Sequence, residues 1–433
     1  MNVSRAPTRH TIGSGDVRPT PFAQRFDAIR AKTIGLAAPL SAEDCALQSM
    51  ADASPVKWHL AHTTWFFETF LLERYVQDYR PFHPQFRVLY NSYYNALGSR
   101  HPRPERGLLS RPSLADVLAY RAHLEDHLEP LFTRADEDGE LAALLELGLQ
   151  HEQQHQELIL TDVKHLLARN PLQPGYMERW PLTSIKPRRS SWLLCSGGLL
   201  EVGHAGNGFC FDNEQSRHNV FLVPFELASH PVTHGDFLAF LDDGGYARPE
   251  LWLSLGWDAV QTRQWNSPMY WEQRDGRWTT FTLHGRTEVD PATPMTHLSY
   301  FEADAYARWA GARLPTEFEW ETAAADCAIE GNFQDSGVLH PLAPRADPPA
   351  GKPGQLFGDV WEWTSSSYAP YPGFTPATGA VGEYNGKFMC NQYVLRGGSC
   401  ATPRSHIRAT YRNFFPPEAR WQFAGLRLAR NAV

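Results

Sequence analysis

Two histidines that stand four residues apart, His151 and His155, are the residues of this sequence best placed to do chemistry. They lie in the run Gln150-His-Glu-Gln-Gln-His-Gln-Glu157, inside a segment whose apolar residues recur at helical spacing. On a helix, residues i and i+4 share one face about a turn apart, so both imidazoles can bind one metal ion. The spacing therefore indicates a metal site, although such pairs also occur on solvated helix faces.

The same run contains the string HExxH, in which Glu152 would be the general base of a zinc peptidase. The motif is short, and a metzincin-like enzyme would have a third histidine at position 161, where Thr161 stands. His165 comes too late to match that pattern. A zinc peptidase is therefore an alternative hypothesis and not the preferred one.

A third ligand is available in the run Trp58-His59-Leu-Ala-His62, but spacing alone leaves His59 and His62 nearly equal as candidates. Imidazole ligands suit iron, copper and zinc alike, so the sequence does not select the metal. Gln154 lies beside the His151 and His155 pair on a helix, where its amide would reach a bound substrate. Glu157 points away from that face, which favours a supporting or packing role.

Helical spacing extends from Pro21 to about Asn170 and predicts an antiparallel bundle. Ser54-Pro55 and the pair Ser113 and Asp116 are typical helix starts, the latter as a capping box. A non-helical insert at about 78–111, rich in Arg, Tyr, Pro and Asn, interrupts the bundle.

The composition changes after Asn170, where short strand-like runs such as Trp192-Leu-Leu and Asn219–Val223 replace the long periodic segments. One further helix is convincing, at Tyr300–Ala310. We predict an α+β protein of two domains: a helix bundle at 16–180 that carries the metal site, and a second domain at 190–433 built from short strands and many loops.

Composition excludes several classes of function. The 433 residues carry a formal net charge of −8, show no basic stripe and include no apolar run long enough to span a membrane. The six cysteines are scattered without a CxxC pair, which is typical of a reducing compartment. We therefore expect a cytoplasmic protein whose partners are neither nucleic acid nor membrane.

Taken in order along the chain, the motifs resemble those of the sulfoxide synthases of ergothioneine biosynthesis (EgtB), which are non-haem iron enzymes. That family joins a DinB-like four-helix bundle to a domain like the formylglycine-generating enzyme, with a C-type-lectin-like fold. The resemblance covers nearly the whole chain and rests on the following motifs: Leu60-Ala-His62, His151-x-x-x-His155-x-Glu157, His230-Pro-Val-Thr233, Arg313-Leu-Pro-Thr-Glu-x-Glu-Trp320, Gly358-Asp-Val-Trp-Glu-Trp363, Arg396-Gly-Gly-Ser399 and Gly425-Leu-Arg427.

The resemblance implies roles for individual residues. It makes His62, His151 and His155 the ligands of Fe(II), and thereby separates His62 from His59. It places the substrate hercynine, a trimethylated histidine, beside Gln154 and near Asn413 and Phe414. It also implies that Arg103 and Arg106, spaced Arg-x-x-Arg, bind the carboxylate of the second substrate, a geometry that suits planar guanidinium groups.

The implied reaction consumes O2 and joins the imidazole C2 of hercynine to a small thiol, with oxidation to the sulfoxide. It requires a proton donor, which some relatives supply as a tyrosine shortly after a Tyr-Pro-Gly-Phe run. Here Tyr371–Phe374 is followed by residues 375–378 without a tyrosine, whereas the insert carries Tyr90-Asn-Ser-Tyr93-Tyr94, as in another branch of the family. The resemblance therefore implies that Tyr93 or Tyr94 is the acid. Phe415 stands where some relatives have an acid, which favours cysteine over γ-glutamylcysteine as the thiol.

Two other functions are compatible with parts of the sequence, and a third lacks a residue pair that it needs. A selenoneine synthase, which joins hercynine to a selenosugar, would use the same scaffold. A formylglycine-generating copper oxidase would need a cysteine pair near the C-terminus, and no cysteine follows Cys400. The second domain alone would also be consistent with a non-catalytic, lectin-like binding module.

Overall fold

The structure is a computed structural model that describes residues 21–178, 190–206, 208–344 and 348–432. Within these ranges it has a helical first half and a second half of short strands, helices and loops, which confirms the predicted α+β class. The predicted limits of the first domain, at residues 16 and 180, lie outside the described residues.

Four long helices form the bundle of the first half. The helices of this half are α1 (Pro21–Ala37), α2 (Val56–Phe67), α3 (Glu73–Tyr75), α4 (Phe86–Leu89), α5 (Leu114–Arg134) and α6 (Gly139–Arg169). Helix α1 packs on α6, and α2 packs on both α5 and α6. Every residue of α2 is buried, so this helix lies at the centre of the bundle.

Local sequence explains where two elements begin and how closely two helices approach. The predicted capping box is present at the start of α5, where the Oγ atom of Ser113 accepts a hydrogen bond from the backbone N–H of Asp116 at 3.2 Å. On α6, a Cβ added to Gly148 would lie 2.5 Å from a ring carbon of Phe67 on α2. The glycine therefore lets α2 and α6 approach closely at the level of the histidines.

The predicted insert between α3 and α5 is irregular apart from short helical turns. It holds α4 and two 3₁₀ turns, at Asn95–Leu97 and Arg103–Leu108. Glu383 of the second half accepts hydrogen bonds from the backbone N–H groups of Asn95 and Ala96, at 3.0 and 2.8 Å. The insert thus forms part of the junction between the two halves of the chain.

The second half contains four helices and twelve strands in its described part. The helices are α7 (His234–Asp242), α8 (Ser254–Arg263), α9 (Tyr300–Trp309) and α10 (Glu317–Ala324). The strands are β1 (Trp192–Cys195), β2 (Gly198–Val202), β3 (His218–Leu222), β4 (Phe225–Ala228), β5 (Trp271–Arg274), β6 (Arg277–Thr282), β7 (Gly285–Glu288), β8 (Trp361–Ser367), β9 (Tyr393–Arg396), β10 (Asn413–Phe415), β11 (Ala424–Gly425) and β12 (Ala429–Asn431).

These strands form four small sheets rather than one large sheet. Their orders are β1-β4-β12, β2-β3, β5-β6-β7 and β10-β9-β8-β11, and only the β8–β11 pair is parallel among the described strands. Small sheets joined by long loops match the prediction of short strands and many turns. Strands β1 and β3 coincide with the two strand-like runs identified in the sequence.

Buried ion pairs join the sequence motifs of the second half to one another. Arg427 pairs with Glu362 at 2.8 Å, and Arg396 pairs with Glu317 and Glu321 at 2.9 Å each. All five side chains are largely removed from solvent, and the indole N–H of Trp320 also donates to Glu362 at 2.8 Å. These motifs therefore maintain the core of the second half, because a buried charge is tolerated only where it is paired.

None of the helices in the described ranges is long and apolar enough to cross a membrane.

Candidate metal centre

His62 on α2 and His151 and His155 on α6 converge in the buried interior of the bundle. One ring nitrogen of each lies within 4.8 Å of the corresponding nitrogen of the other two. The i, i+4 spacing places His151 and His155 on one face of α6, and the central position of α2 brings His62 opposite them. The structure thus brings together the three histidines that the family resemblance implies.

Hydrogen bonds fix the orientation of two of these rings. The Nδ1–H group of His62 donates to the backbone carbonyl oxygen of Tyr90 at 2.6 Å, and Nδ1 of His155 lies 2.8 Å from Nδ1 of His59. Both contacts engage the Nδ1 atom and leave the Nε2 atom of each ring available to a metal ion. Trp58 stacks on His62 at a ring-centroid distance of 4.6 Å and restricts rotation of the imidazole.

Burial keeps the three imidazoles neutral, as metal binding requires. It lowers the pKa of His62 and of His155 well below the ordinary value, and it lowers that of His151 to about 3. Each ring then has one nitrogen with a free lone pair at neutral pH.

The donor set fits a metal ion because its polar atoms have no other partner. Nε2 of His62 and both ring nitrogens of His151 are buried and lack a hydrogen-bond partner among the described residues. Unpaired buried polar atoms are costly, and a native cluster of them calls for a ligand. A single cation between the rings would satisfy these atoms. Three neutral imidazoles are ligands for iron, copper or zinc, so the donor set by itself does not choose among them.

The alternative ligand His59 lies behind the cluster and not in it. Its Nε2 atom is 3.0 Å from Oδ2 of Asp162, and its Nδ1 atom faces His155. Both ring nitrogens of His59 are therefore occupied by other side chains. The structure separates the two candidates that sequence spacing left open.

Glu152 cannot serve as the base of a peptidase. It points away from the cluster and forms buried ion pairs with Arg121 at 2.9 Å and with Arg30 at 3.1 Å. Burial alone would raise its pKa, but the two guanidinium groups outweigh that effect and lower the pKa to about 2. The peptidase hypothesis is wrong on this geometry, because a carboxylate so strongly paired is a poor proton acceptor at neutral pH.

Glu157 joins α6 to the second half of the chain rather than to the bundle. It accepts hydrogen bonds from the indole N–H of Trp361 at 2.7 Å, from Ser399 at 2.8 Å and from Thr402 at 2.7 Å. Sequence analysis expected a supporting role for Glu157, and the structure shows that the role lies at the domain junction.

Gln154 forms another contact between the two halves, close to the cluster. Its amide N–H donates to the Tyr411 hydroxyl at 2.8 Å, and its carbonyl oxygen accepts a hydrogen bond from the Tyr384 hydroxyl. The Tyr384 ring lies 5.8 Å from that of His151. Gln154 is thus near the predicted substrate position, but both ends of its amide already have partners.

Tyr93 and Tyr94 stack on each other at 4.6 Å beside the bundle core. Tyr94 is fully buried against Trp65 and Phe70, and its hydroxyl has no hydrogen-bond partner within 3.5 Å among the described residues. Burial raises the pKa of both hydroxyls; nearby tyrosines, Tyr384 among them, add to the effect at Tyr94, and the carboxylates of Asp212 and Glu383 add to it at Tyr93. Each therefore keeps its proton at neutral pH.

Arg103 and Arg106 take up different positions although one 3₁₀ turn carries both. Arg106 is buried, donates to the Ser54 hydroxyl at 2.8 Å and lies 3.4 Å above the Trp58 ring. Burial lowers the pKa of Arg106 to about 8, and its Nε–H group has no partner among the described residues. Arg103 is exposed and donates to the backbone oxygen of Asp52.

A cavity of about 420 Å³ brings Arg103 together with two other predicted residues, Phe414 and Phe415. Phe388, which also lines this cavity, packs edge-on against Tyr93 at 5.1 Å and so connects the cavity to the tyrosine pair. Asn413 does not line the cavity. Its side-chain oxygen accepts a hydrogen bond from the backbone N–H of Phe414. The predicted substrate residues are therefore only partly brought together.

Sequence reasoning missed Tyr384, which the structure places next to both Gln154 and His151. It also lines a second cavity, of about 630 Å³, between α6 and the loops of the second half. In the sequence, Tyr384 stands in the run Glu383-Tyr384-Asn385, ten residues after Phe374, within a stretch that contains Gly, Pro and Thr. That position is the signal that could have identified Tyr384. No periodicity in the sequence connects that loop with α6.

Comparison with known proteins agrees with this architecture. The family described as sulfatase-modifying factor enzyme 1-like domain matches residues 182–351 and 354–432, and the DinB superfamily matches residues 25–159. A hercynine oxygenase of Mycobacterium tuberculosis is 34% identical over 435 residues, which cover 95% of this chain and 99% of that protein. One from Mycolicibacterium smegmatis is 35% identical over 408 residues, covering 87% of this chain and 91% of that protein.

The chain belongs to the hercynine oxygenase family. It is an enzyme with a DinB-like helix bundle followed by a sulfatase-modifying-factor-like domain. A formylglycine-generating enzyme of Streptomyces coelicolor is 30% identical over 291 residues, which cover only 54% of this chain and 88% of that protein. Membership of an enzyme family excludes the binding-module hypothesis.

Proposed function

We propose that this protein is an Fe(II)- and O2-dependent sulfoxide synthase of ergothioneine biosynthesis. It would join C2 of the hercynine imidazole to the sulfur of a small thiol and oxidise that sulfur to the sulfoxide. The observation that carries the proposal is the buried cluster of His62, His151 and His155, in which Nε2 of His62 and both ring nitrogens of His151 have no hydrogen-bond partner among the described residues. Family membership supplies the substrate class, because the relatives are named hercynine oxygenases.

The reaction balances with dioxygen as the oxidant. Formation of the C–S bond removes one hydrogen from the imidazole carbon and one from the thiol, and releases two electrons. Oxidation of the sulfur releases two more, so one O2 accepts four electrons and supplies the sulfoxide oxygen, while its second atom leaves as water. Bound ferrous iron would supply the redox chemistry that lets O2 react with closed-shell substrates.

The residues of the bundle would hold this metal in a dry site. His62, His151 and His155 would provide three neutral ligands and leave further positions open for substrates. Trp58, Trp65 and Phe66 surround the rings and exclude water.

We assign the proton donor within the tyrosine pair to Tyr94. Its buried hydroxyl lacks a hydrogen-bond partner within 3.5 Å among the described residues, and its ring packs on Trp65, which stacks on His62. The Tyr93 ring instead packs on Phe388 of the second half. The raised pKa of Tyr94 keeps the proton in place until a stronger base forms beside it. Tyr93, stacked on Tyr94, would keep its ring in position.

Phenylalanine substitutions test the tyrosine assignment. Tyr94→Phe should lower the yield of sulfoxide by about 10²-fold or more, the usual contribution of a general acid, and Tyr93→Phe should lower it less. Product is quantified by mass spectrometry, with Tyr79→Phe as a control because that tyrosine hydroxyl bonds to Glu68 outside the site. An unchanged sulfoxide yield in the Tyr93→Phe/Tyr94→Phe double variant would eliminate the assignment.

The cavity at Arg103 suits a zwitterionic amino acid as the sulfur donor. Arg103 and Arg263 offer positive charge for a carboxylate, and Asp52 and Glu418 offer negative charge for an ammonium group. Phe415 adds an apolar wall where a further polar group of a longer substrate would need a partner. Cysteine is therefore our favoured donor, with γ-glutamylcysteine and a selenosugar as the competitors to be tested.

We also infer a cytoplasmic location. All six cysteines are free, which fits a reducing compartment.

Product analysis after iron loading tests the proposed function. The protein is loaded with Fe(II) without oxygen, then supplied with O2, hercynine and an equimolar mixture of cysteine, γ-glutamylcysteine and a selenosugar. We expect O2 consumption only when hercynine and a donor are both present, and a cysteine-derived sulfoxide as the main product. His151→Ala should abolish turnover, whereas His165→Ala, on the same helix and bonded to Ser49, should retain it. Product formation by His151→Ala would overturn the proposal, and a selenium-containing main product would assign the alternative function.

A further inference from the structure

We propose that His59 and Asp162 position the metal ligand His155, so that metal affinity depends on two side chains that do not contact the metal. This inference rests on the proposed function only in assuming that His155 is a ligand. We call this line of contacts, from Asp162 on α6 through His59 on α2 to His155 on α6, the relay.

The relay is a continuous line of buried contacts. Oδ2 of Asp162 lies 3.0 Å from Nε2 of His59, and Nδ1 of His59 lies 2.8 Å from Nδ1 of His155. All three side chains are more than nine-tenths buried. Asp162 is itself held in place, because its Oδ2 atom accepts a hydrogen bond from the backbone N–H of Ser54 at 2.8 Å.

The chemistry of these groups fixes where each proton lies. An ionised carboxylate only accepts hydrogen bonds, so the Nε2–H group of His59 donates to Asp162. In neutral His59 the Nδ1 atom then carries a lone pair and accepts from the Nδ1–H group of His155. His155 is thereby held in the tautomer whose Nε2 lone pair is free for a metal ion, and its ring cannot rotate without breaking that bond.

The other two histidines lack an equivalent support from side chains. Nδ1 of His62 is fixed by the backbone oxygen of Tyr90, which no substitution removes directly. Neither nitrogen of His151 has a hydrogen-bond partner among the described residues. Of the three proposed ligands, His155 is therefore the one whose ring is held by a hydrogen bond to another side chain, which makes the relay testable.

Metal titration of relay variants tests this inference without reference to turnover. Dissociation constants for Fe(II) and Zn(II) are measured anaerobically, by competition with a chromophoric chelator, for the full-length protein and its variants. His59→Ala and Asp162→Ala should each weaken both metals by about 10–100-fold, the usual cost of losing a group that orients a ligand. Because Asp162 acts through His59, the double variant should be no weaker than His59→Ala alone.

Two further variants separate positioning from a merely structural role. His165→Ala removes a buried histidine of the same helix that hydrogen-bonds to Ser49, and it should leave metal affinity unchanged. His59→Asn places an amide oxygen near the former Nδ1 position and should restore most of the affinity lost in His59→Ala. The ligand-field spectrum of bound Co(II) should change in His59→Ala and recover in His59→Asn. Circular dichroism verifies that each variant is folded. If His59→Ala fails to fold, His59→Asn and Asp162→Asn are compared instead, and Asp162→Asn should still weaken binding.

The outcomes distinguish this inference from the proposed function. Unchanged metal affinity in His59→Ala and Asp162→Ala, or additive losses of affinity in the double variant, would contradict the relay. Neither result would contradict the proposed iron site. Tight Zn(II) binding that depends on His59, together with no Fe(II) binding, would support the relay and contradict the iron enzyme. A wild-type protein that binds neither metal would overturn both.

Discussion

Glu152 directly follows His151 in the sequence, yet its role is structural. Its carboxylate is fully buried between Arg30 and Arg121. Arg121 depends on it for charge balance, whereas Arg30 also pairs with Glu125 at 3.0 Å. Removing one partner of a buried pair leaves an uncompensated charge in a low-dielectric interior. The string HExxH is thus explained without a peptidase.

Substitution of Glu152 should therefore affect stability more than chemistry. We expect Glu152→Gln to lower the free energy of unfolding by about 3–5 kcal/mol at pH 7, measured by urea denaturation. Since the folded-state pKa is about 2 and the unfolded value about 4.3, the stabilisation is complete above the unfolded pKa. The difference between wild type and variant should shrink as the pH falls from about 4.3 towards 2.

Glu146→Gln is the matched control for this prediction. Glu146 lies on the same helix and also pairs with an arginine of α1, Arg25, but nearly half of the Arg25 side chain is exposed. Its substitution should cost no more than about 1 kcal/mol. Equal effects of the two substitutions would contradict the structural assignment of Glu152.

At the scale of helices, the site depends on the close approach of α2 and α6. Gly148 permits that approach, because a methyl group at this position would overlap the buried ring of Phe67. His62 and His151 lie about one turn from this contact, so their separation follows the spacing between the helices.

A methyl group at Gly148 should push the helices apart. We expect Gly148→Ala to destabilise the fold by about 1–3 kcal/mol, despite the higher helix propensity of alanine, and to weaken Fe(II) binding. Chemical denaturation and chelator competition measure the two effects. Gly139→Ala, on the same helix where an added Cβ meets nothing within 4 Å, should be neutral or slightly stabilising. A Gly148→Ala protein as stable as the Gly139→Ala protein would contradict this view.

Elements with local signals could be predicted from the sequence, and contacts between distant elements could not. The Ser113 capping box, the helix at Tyr300 and the i, i+4 pair on α6 all depend on neighbouring residues. The position of Tyr384 beside Gln154 depends on a loop 230 residues away, which carries no periodicity. Spacing likewise left His59 and His62 equal, because only the packing of α2 on α6 shows which ring faces the cluster.

The whole molecule is held together by contacts between α6 and the second half of the chain. Glu157 accepts three hydrogen bonds from that half, and Gln153 donates one to Ser405 at 2.6 Å. The helix that carries two of the proposed metal ligands therefore also carries the domain junction. The side chains of the second half that we propose to bind substrate are thereby held in place relative to the proposed metal site.

Removal of the Glu157 carboxylate should loosen this junction. Glu157→Ala removes the acceptor of three buried donors, of which the Ser399 and Thr402 hydroxyls, 3.1 Å apart, can still form one hydrogen bond with each other, and we expect a loss of about 3 kcal/mol in stability. Hydrogen exchange should show reduced protection at α6 and at residues 399–402, and activity should fall. Gln153→Ala, which removes one neutral bond on the same side of the helix, should cost about 1 kcal/mol. Unchanged protection in Glu157→Ala would show that the junction does not depend on this residue.

The central claim is that the three-histidine site uses dioxygen to form the sulfoxide, and isotope labelling tests it most directly. Fe(II)-loaded protein is given hercynine, cysteine and isotopically heavy dioxygen, and the product is analysed by mass spectrometry. We expect a sulfoxide that carries one heavy oxygen atom, formed by the wild-type protein and absent when His62, His151 or His155 is replaced by alanine. A sulfoxide without the label, or a labelled product from the alanine variants, would contradict the central claim.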